Sequence, residues 1–136
     1  MSELLTIAIL SGVFGSIITW FVQYILEKSK EKYKSELELK EKRYKCTMVF
    51  MEGFLNPKNL KFIQHRNPDI CSKNDLKETL KVEYAEILLF APDDVVKSLK
   101  SFIESPTEEK YFRTIQLMRK DLWGKNTNLT INDIRF

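Results

Sequence analysis

The chain has 136 residues, 43% of them hydrophobic and 30% charged, which bounds it to one small soluble domain plus an anchoring segment. Its 22 basic and 19 acidic residues leave a net charge of +3, too even for a dedicated nucleic-acid binder with a strongly basic footprint. Cys46 and Cys71 make neither a CxxC nor a metal-ligand spacing, so idle thiols are expected.

Leu4 to Leu26 reads LLTIAILSGVFGSIITWFVQYIL, with no charged residue. At about 1.5 Å per residue this is roughly 34 Å of helix, enough to cross a hydrocarbon core of about 30 Å. Lipid offers no partner to backbone amides, so such a segment crosses as a helix. A cleavable signal would need a basic start, a shorter apolar run and a small-x-small site, and these are missing here. Glu3 precedes the segment, while Lys28, Lys30, Lys32 and Lys34 follow it. Lysines beside a span stay on the cytoplasmic side, so the expected topology is N-terminus outside and everything after Leu26 inside. The location is then a membrane bounding the cytoplasm, with Trp20 and Tyr24 near its cytoplasmic headgroups and both thiols kept reduced.

Residues 27–45 hold thirteen charged residues and neither Gly nor Pro. Glu31–Lys34, Glu36–Lys40, Glu38–Lys42 and Glu41–Lys45 fall at helical pair spacings. One continuous helix is expected to run from the span into a charged stalk over residues 27–55. Its apolar positions Leu26, Leu37 and Met48 repeat every eleven residues, as do Tyr33, Tyr44 and Leu55. That period, about 3.67 residues per turn, suits a nearly straight bundle of copies. A lone solvated helix with a few scattered apolar residues is the alternative.

From Glu52 to Asn74, Gly53, Pro57 and Pro68 are expected to break helical continuity, with a short helix or packed loop near Asn59–His65. Ser72-Lys-Asn-Asp75 is a capping-box pattern, followed by Leu76, Leu80, Val82, Tyr84, Ile87, Leu88 and Leu89 as the apolar set. Pro92-Asp93-Asp94 opens a further helix that buries Val95, Val96, Leu99, Phe102 and Ile103. Ser105 to Glu109 opens another, carrying Tyr111, Phe112, Ile115, Met118 and Leu122 and stopped by Gly124. Thr130 to Asp133 caps a last turn ending in Ile134 and Phe136. No alternating strand pattern occurs, so the fold class is all-α: a transmembrane helix (1–26), a charged stalk (27–55) and a small cytosolic helical bundle (56–136).

Chemistry is hard to find. His65 is the single histidine, no phosphate-binding glycine loop occurs, and no catalytic residue, cofactor or metal is expected. Asp93-Asp94 reads as a helix start, and Arg119-Lys120-Asp121 beside Trp123 reads as a salt-bridged helix end or a contact site.

The span has two faces. Ala8, Gly12, Gly15, Ser16, Thr19 and Gln23 share one, and Leu10, Val13, Phe14, Ile17, Trp20, Phe21, Tyr24 and Ile25 lie opposite. Small residues let helices approach in lipid, and Gln is costly against hydrocarbon. The small face is therefore expected to pack between copies or to line a pore, with Lys28, Lys30, Lys32 and Lys34 as its cytoplasmic collar.

This layout resembles small prokaryotic defence-associated membrane proteins, with segments such as Ile87-Leu-Leu-Phe-Ala-Pro-Asp-Asp-Val-Val96 and Met118-Arg-Lys-Asp-Leu122 in the helical part. Within that group it is most similar to the accessory membrane proteins of type VI-B CRISPR systems. The resemblance implies a HEPN-like helical cytosolic domain, an octameric membrane pore and support of antiviral RNA targeting. The Arg-x4–6-His signature of helical ribonucleases is absent before His65, so no catalytic role carries over. The reading is a homo-oligomeric membrane protein forming a pore-like assembly in antiviral defence. Its expected partners are the lipid membrane, further copies and a cytosolic RNA-guided effector or other defence protein, without direct nucleic-acid binding. A tethered scaffold without a pore is the main rival, and an RNA-processing enzyme the third reading.

Overall fold

The computed structural model describes residues 2–134, and among these every regular element is helical. Helix α1 covers Ser2–Leu55, followed by a 3₁₀ turn at Pro57–Asn59 and α2 at Leu60–Arg66. Then come α3 (Lys73–Ile87), α4 (Asp93–Glu104), α5 (Glu108–Trp123) and α6 (Ile131–Ile134). Two compact units result, Met1–Glu38 and Leu39–Phe136. Within the first, α1 has an 18-residue window of mean hydropathy 2.0 with none of it buried. It is long and apolar enough to cross a membrane.

The second unit starts earlier than expected. The anticipated boundary at residue 55 falls inside it, because the C-terminal part of α1 is a core helix. Tyr44, Thr47 and Met51 recur at three- and four-residue spacing and are buried, as are Phe50 and Gly53. Tyr44, Phe50 and Met51 join Leu76, Leu80 and Ile87 of α3, Val95, Leu99 and Phe102 of α4, and Met118 of α5 in one apolar cluster. Each such side chain contributes about 1.5–3 kcal/mol on leaving water. Tyr44 is thus withdrawn from the proposed seam between copies, and Leu55 packs partly against the same core. The eleven-residue repeat therefore mixes two environments.

Gly53 does not interrupt α1. A Cβ there would collide with Ile63 Cδ1 and lie 3.3 Å from Leu76 Cδ2, so glycine lets α2 and α3 close on the helix end. The helix stops two residues later, where Pro57 cannot continue it.

The later helix starts match their sequence signals. Ser72 Oγ accepts from Asp75 N at 3.1 Å and donates to Asp75 Oδ2 at 2.8 Å. Thr107 Oγ1 accepts from Lys110 N at 3.2 Å, and Gly124 ends α5 at φ 66°, a left-handed conformation that glycine adopts freely. Thr130 N donates to Asp133 Oδ2 at 2.6 Å. Phe136, expected at the end of this turn, lies outside the described residues.

The apolar set of α3 is narrower than expected. Val82, Leu88 and Leu89 are exposed, and their place in the buried stripe is taken by Glu83. Between α4 and α5, the fully buried Thr114 hydroxyl donates to Lys110 O at 2.8 Å and lies 2.7 Å from Ser98 Oγ.

Candidate membrane and assembly face

All the large apolar side chains from Leu4 to Leu26 are exposed, from 49% at Val22 to 75% at Leu4. Ala8, Gly12, Gly15, Ser16, Thr19 and Gln23 are likewise open on α1. Nothing approaches within 4 Å of a Cβ built at Gly12 or Gly15. Unlike Gly53, these two glycines have no packing duty inside one copy.

The hydroxyls on this helix turn inward. Ser11 Oγ donates to Ala8 O at 2.9 Å, Ser16 Oγ to Val13 O at 2.8 Å, and Thr19 Oγ1 to Gly15 O at 2.8 Å. Bonded back to their own turn, they can tolerate an apolar medium without a second helix. The Gln23 carboxamide has no such partner among the described residues, which leaves it the most demanding polar group of the span.

One turn further on, Trp20 and Tyr24 stack with centroids 5.8 Å apart, and Lys28 Nζ lies 6.0 Å from the Tyr24 ring centroid. Lys28, Lys30, Lys32 and Lys34 are all exposed. Lys32 pairs with Glu36 at 3.8 Å and Lys34 with Glu38 at 4.0 Å, both well solvated and so worth little. Of the ion pairs expected along the stalk, Glu41–Lys45 forms, whereas Lys40 turns to Asp121 instead of Glu36. Leu26, Tyr33 and Met48 of the proposed seam are exposed, and Leu37 is half-buried.

Two polar clusters lie in the second unit, the first of them at the salt-bridged helix end expected around Asp121. Asp121 accepts the Tyr44 hydroxyl at 2.7 Å and pairs with Lys40 Nζ at 3.0 Å, which ties the end of α5 to α1. Burial, then the hydrogen bond to Asp121, pushes the Tyr44 hydroxyl far above the usual phenol range. Asp121 is thus the salt-bridged member of the Arg119-Lys120-Asp121 triplet, while Arg119 and Lys120 stay exposed. Nearby, Arg43 Nη1 lies 2.6 Å from Glu86 Oε2 but 3.6 Å from Glu83 Oε1. Glu83 Oε2 is buried without a partner among the described residues. Desolvation raises the Glu83 carboxyl, Arg43 lowers it and Glu86 raises it, with a net upward shift. Glu83 continues the line of Leu76, Leu80 and Ile87, and a carboxylate in an apolar stripe was the signal available in sequence.

A groove of about 680 Å³ is lined by Glu52, Leu55, Asn56, Asn59, Glu108, Tyr111, Ile131 and Ile134. Burial, followed by Glu52, raises the Tyr111 hydroxyl above its ordinary range. Among the described residues, no three His, Cys, Asp or Glu side chains gather to hold a metal ion.

Comparison with protein-family models, curated proteins and solved structures finds no match to this chain.

Proposed function

We propose that the chain is a single-pass membrane protein, N-terminus outside and helical unit in the cytoplasm, whose spans associate through their small-residue face. The carrying observation is the uncovered apolar segment of α1, with two glycines that serve no packing inside one copy. Exposed apolar area on this scale needs a partner, and lipid supplies one for the broad Leu, Ile and Phe face. The face with Ala8, Gly12, Gly15, Ser16 and Thr19 suits a second helix, and Gln23 suits a hydrogen-bonded or wet interior. A ring of such spans is a pore, with Lys28, Lys30, Lys32 and Lys34 at its cytoplasmic mouth. The antiviral role and a cytosolic effector as partner rest on the resemblance in architecture alone.

A membrane-tethered scaffold is the second reading. The internal bonds of Ser16 and Thr19 favour it, because hydroxyls satisfied within one helix need no water-filled channel. Ion or dye flux from liposomes separates the two. Gln23→Leu should lower flux while insertion persists if the face is wet. If flux is absent in the wild type under any trigger that switches on its biological effect, the pore is excluded.

A further inference from the structure

Residues 53–68 contain Lys58, Lys61 and Arg66 and no Asp or Glu. Lys61, Phe62, His65 and Arg66 follow the i, i+1, i+4, i+5 spacing of one face of α2, Lys58 lies in the 3₁₀ turn just before it, and all five are exposed. Phe62 keeps 64% of its surface open at the middle of the stripe, with Lys61 Nζ 5.1 Å from its ring centroid. No ion pair engages the three cations among the described residues. The inner side of α2 is occupied by the core, since Ile63 is buried against Gly53.

We infer that this face of α2, with the 3₁₀ turn before it, binds a single-stranded nucleic acid, with phosphates on Lys58, Lys61 and Arg66 and a base stacked on Phe62. Cations interleaved with an open aromatic ring are what a single strand requires, because every base has a face to stack and every linkage a charge. A bilayer surface fits less well. An interfacial helix needs a broad apolar face to bury, and the outward side of α2 offers one apolar residue. An acidic peptide would use the cations but leave the ring idle. Averaging charge over the whole chain hides this stripe, which is why the balanced total pointed away from nucleic acid. The inference does not depend on the membrane reading.

The test uses the full-length protein in an uncharged detergent, titrated with labelled uridine and thymidine oligonucleotides while fluorescence anisotropy is read. Binding should weaken with salt, and Lys61→Gln with Arg66→Gln should reduce the log–log salt slope by roughly 1.4, about 0.7 for each phosphate contact on a single strand. Phe62→Ala should weaken binding roughly 5- to 150-fold, the range of one lost base stack, and Phe62→Trp should restore it. Lys100→Gln, an exposed cation elsewhere, should change nothing. Tighter binding of the uridine strand would place the ribose 2′-hydroxyl in the contact, and equal binding would assign recognition to phosphate and base alone. All these side chains are exposed, so helix content by circular dichroism should match the wild type. The inference is overturned if neither strand binds at about 50 mM salt. It is also overturned if Lys100→Gln costs as much as the stripe variants. Polyglutamate or anionic vesicles that bind the stripe equally well in Phe62→Ala would overturn it too, and would assign the surface to another polyanion.

Discussion

Glu83 is the residue whose chemistry is most at odds with its place. Its carboxyl is raised by burial above the value it has in the unfolded chain, so the folded state holds the proton more tightly. Where the folded state binds more protons, stability falls as pH rises. The loss should begin near the ordinary Glu range, about 4.3, and be complete once pH passes the raised folded value. Glu83→Gln should remove that slope. Urea denaturation at several pH values should give a variant at least as stable as the wild type at neutral pH, with the advantage shrinking in acid. A variant that loses stability at neutral pH would assign Glu83 a net favourable pair with Arg43. Gly53 offers a second residue-scale test. Gly53→Ala forces a Cβ onto Ile63, so a loss of about 1–3 kcal/mol is expected. Ile63→Val, which removes the Cδ1 atom in conflict, should recover part of it in a double-mutant cycle.

At the scale of elements, α1 does two jobs, and its sequence disguises the change. The helix starts at Ser72, Thr107 and Thr130 were legible because capping is local: one side chain and the three residues after it decide the geometry. Burial is not local. Tyr44 and Leu55 lie in register with Tyr33, yet Tyr44 and Leu55 meet α3, α4 and α5 while Tyr33 stays exposed. The stripe Tyr44, Thr47, Met51 and Phe54 was there to be read, but twelve charges over residues 27–43 just before it gave the helix the look of a solvated stalk. Val82 and Leu89 failed for the opposite reason, since an apolar residue tells nothing about whether a partner covers it. Two variants separate the roles. Tyr44→Phe removes the hydrogen bond to Asp121 and should cost roughly 1.5–3 kcal/mol in urea denaturation, without altering oligomer size. Tyr33→Lys should leave the domain's stability unchanged and lower the oligomeric mass if the exposed part of the seam joins copies. Unchanged mass would make that part of α1 a solitary helix.

For the whole molecule, one segment long and apolar enough to cross a membrane stands beside a helical unit with its own core. That long apolar helix was legible because length and hydropathy are properties of sequence alone. The candidate assembly face was legible only as a pattern: one copy shows Gly12 and Gly15 open and cannot show what approaches them. Topology rests on the four lysines after the span. Ser2→Cys should react with an impermeant thiol reagent added outside spheroplasts, and Ser101→Cys should not, each in a Cys46→Ala, Cys71→Ser background. The reverse pattern would invert the orientation.

The most direct test of the central reading, spans held together by their small face, is a cysteine scan of that helix in native membranes. In the same background, Ala8→Cys, Gly12→Cys, Ser16→Cys and Thr19→Cys should form oxidant-driven dimers between copies, with Leu10→Cys, Phe14→Cys, Ile17→Cys and Phe21→Cys crosslinking weakly. Crosslinks that follow no helical period, or that favour the second set, would contradict it.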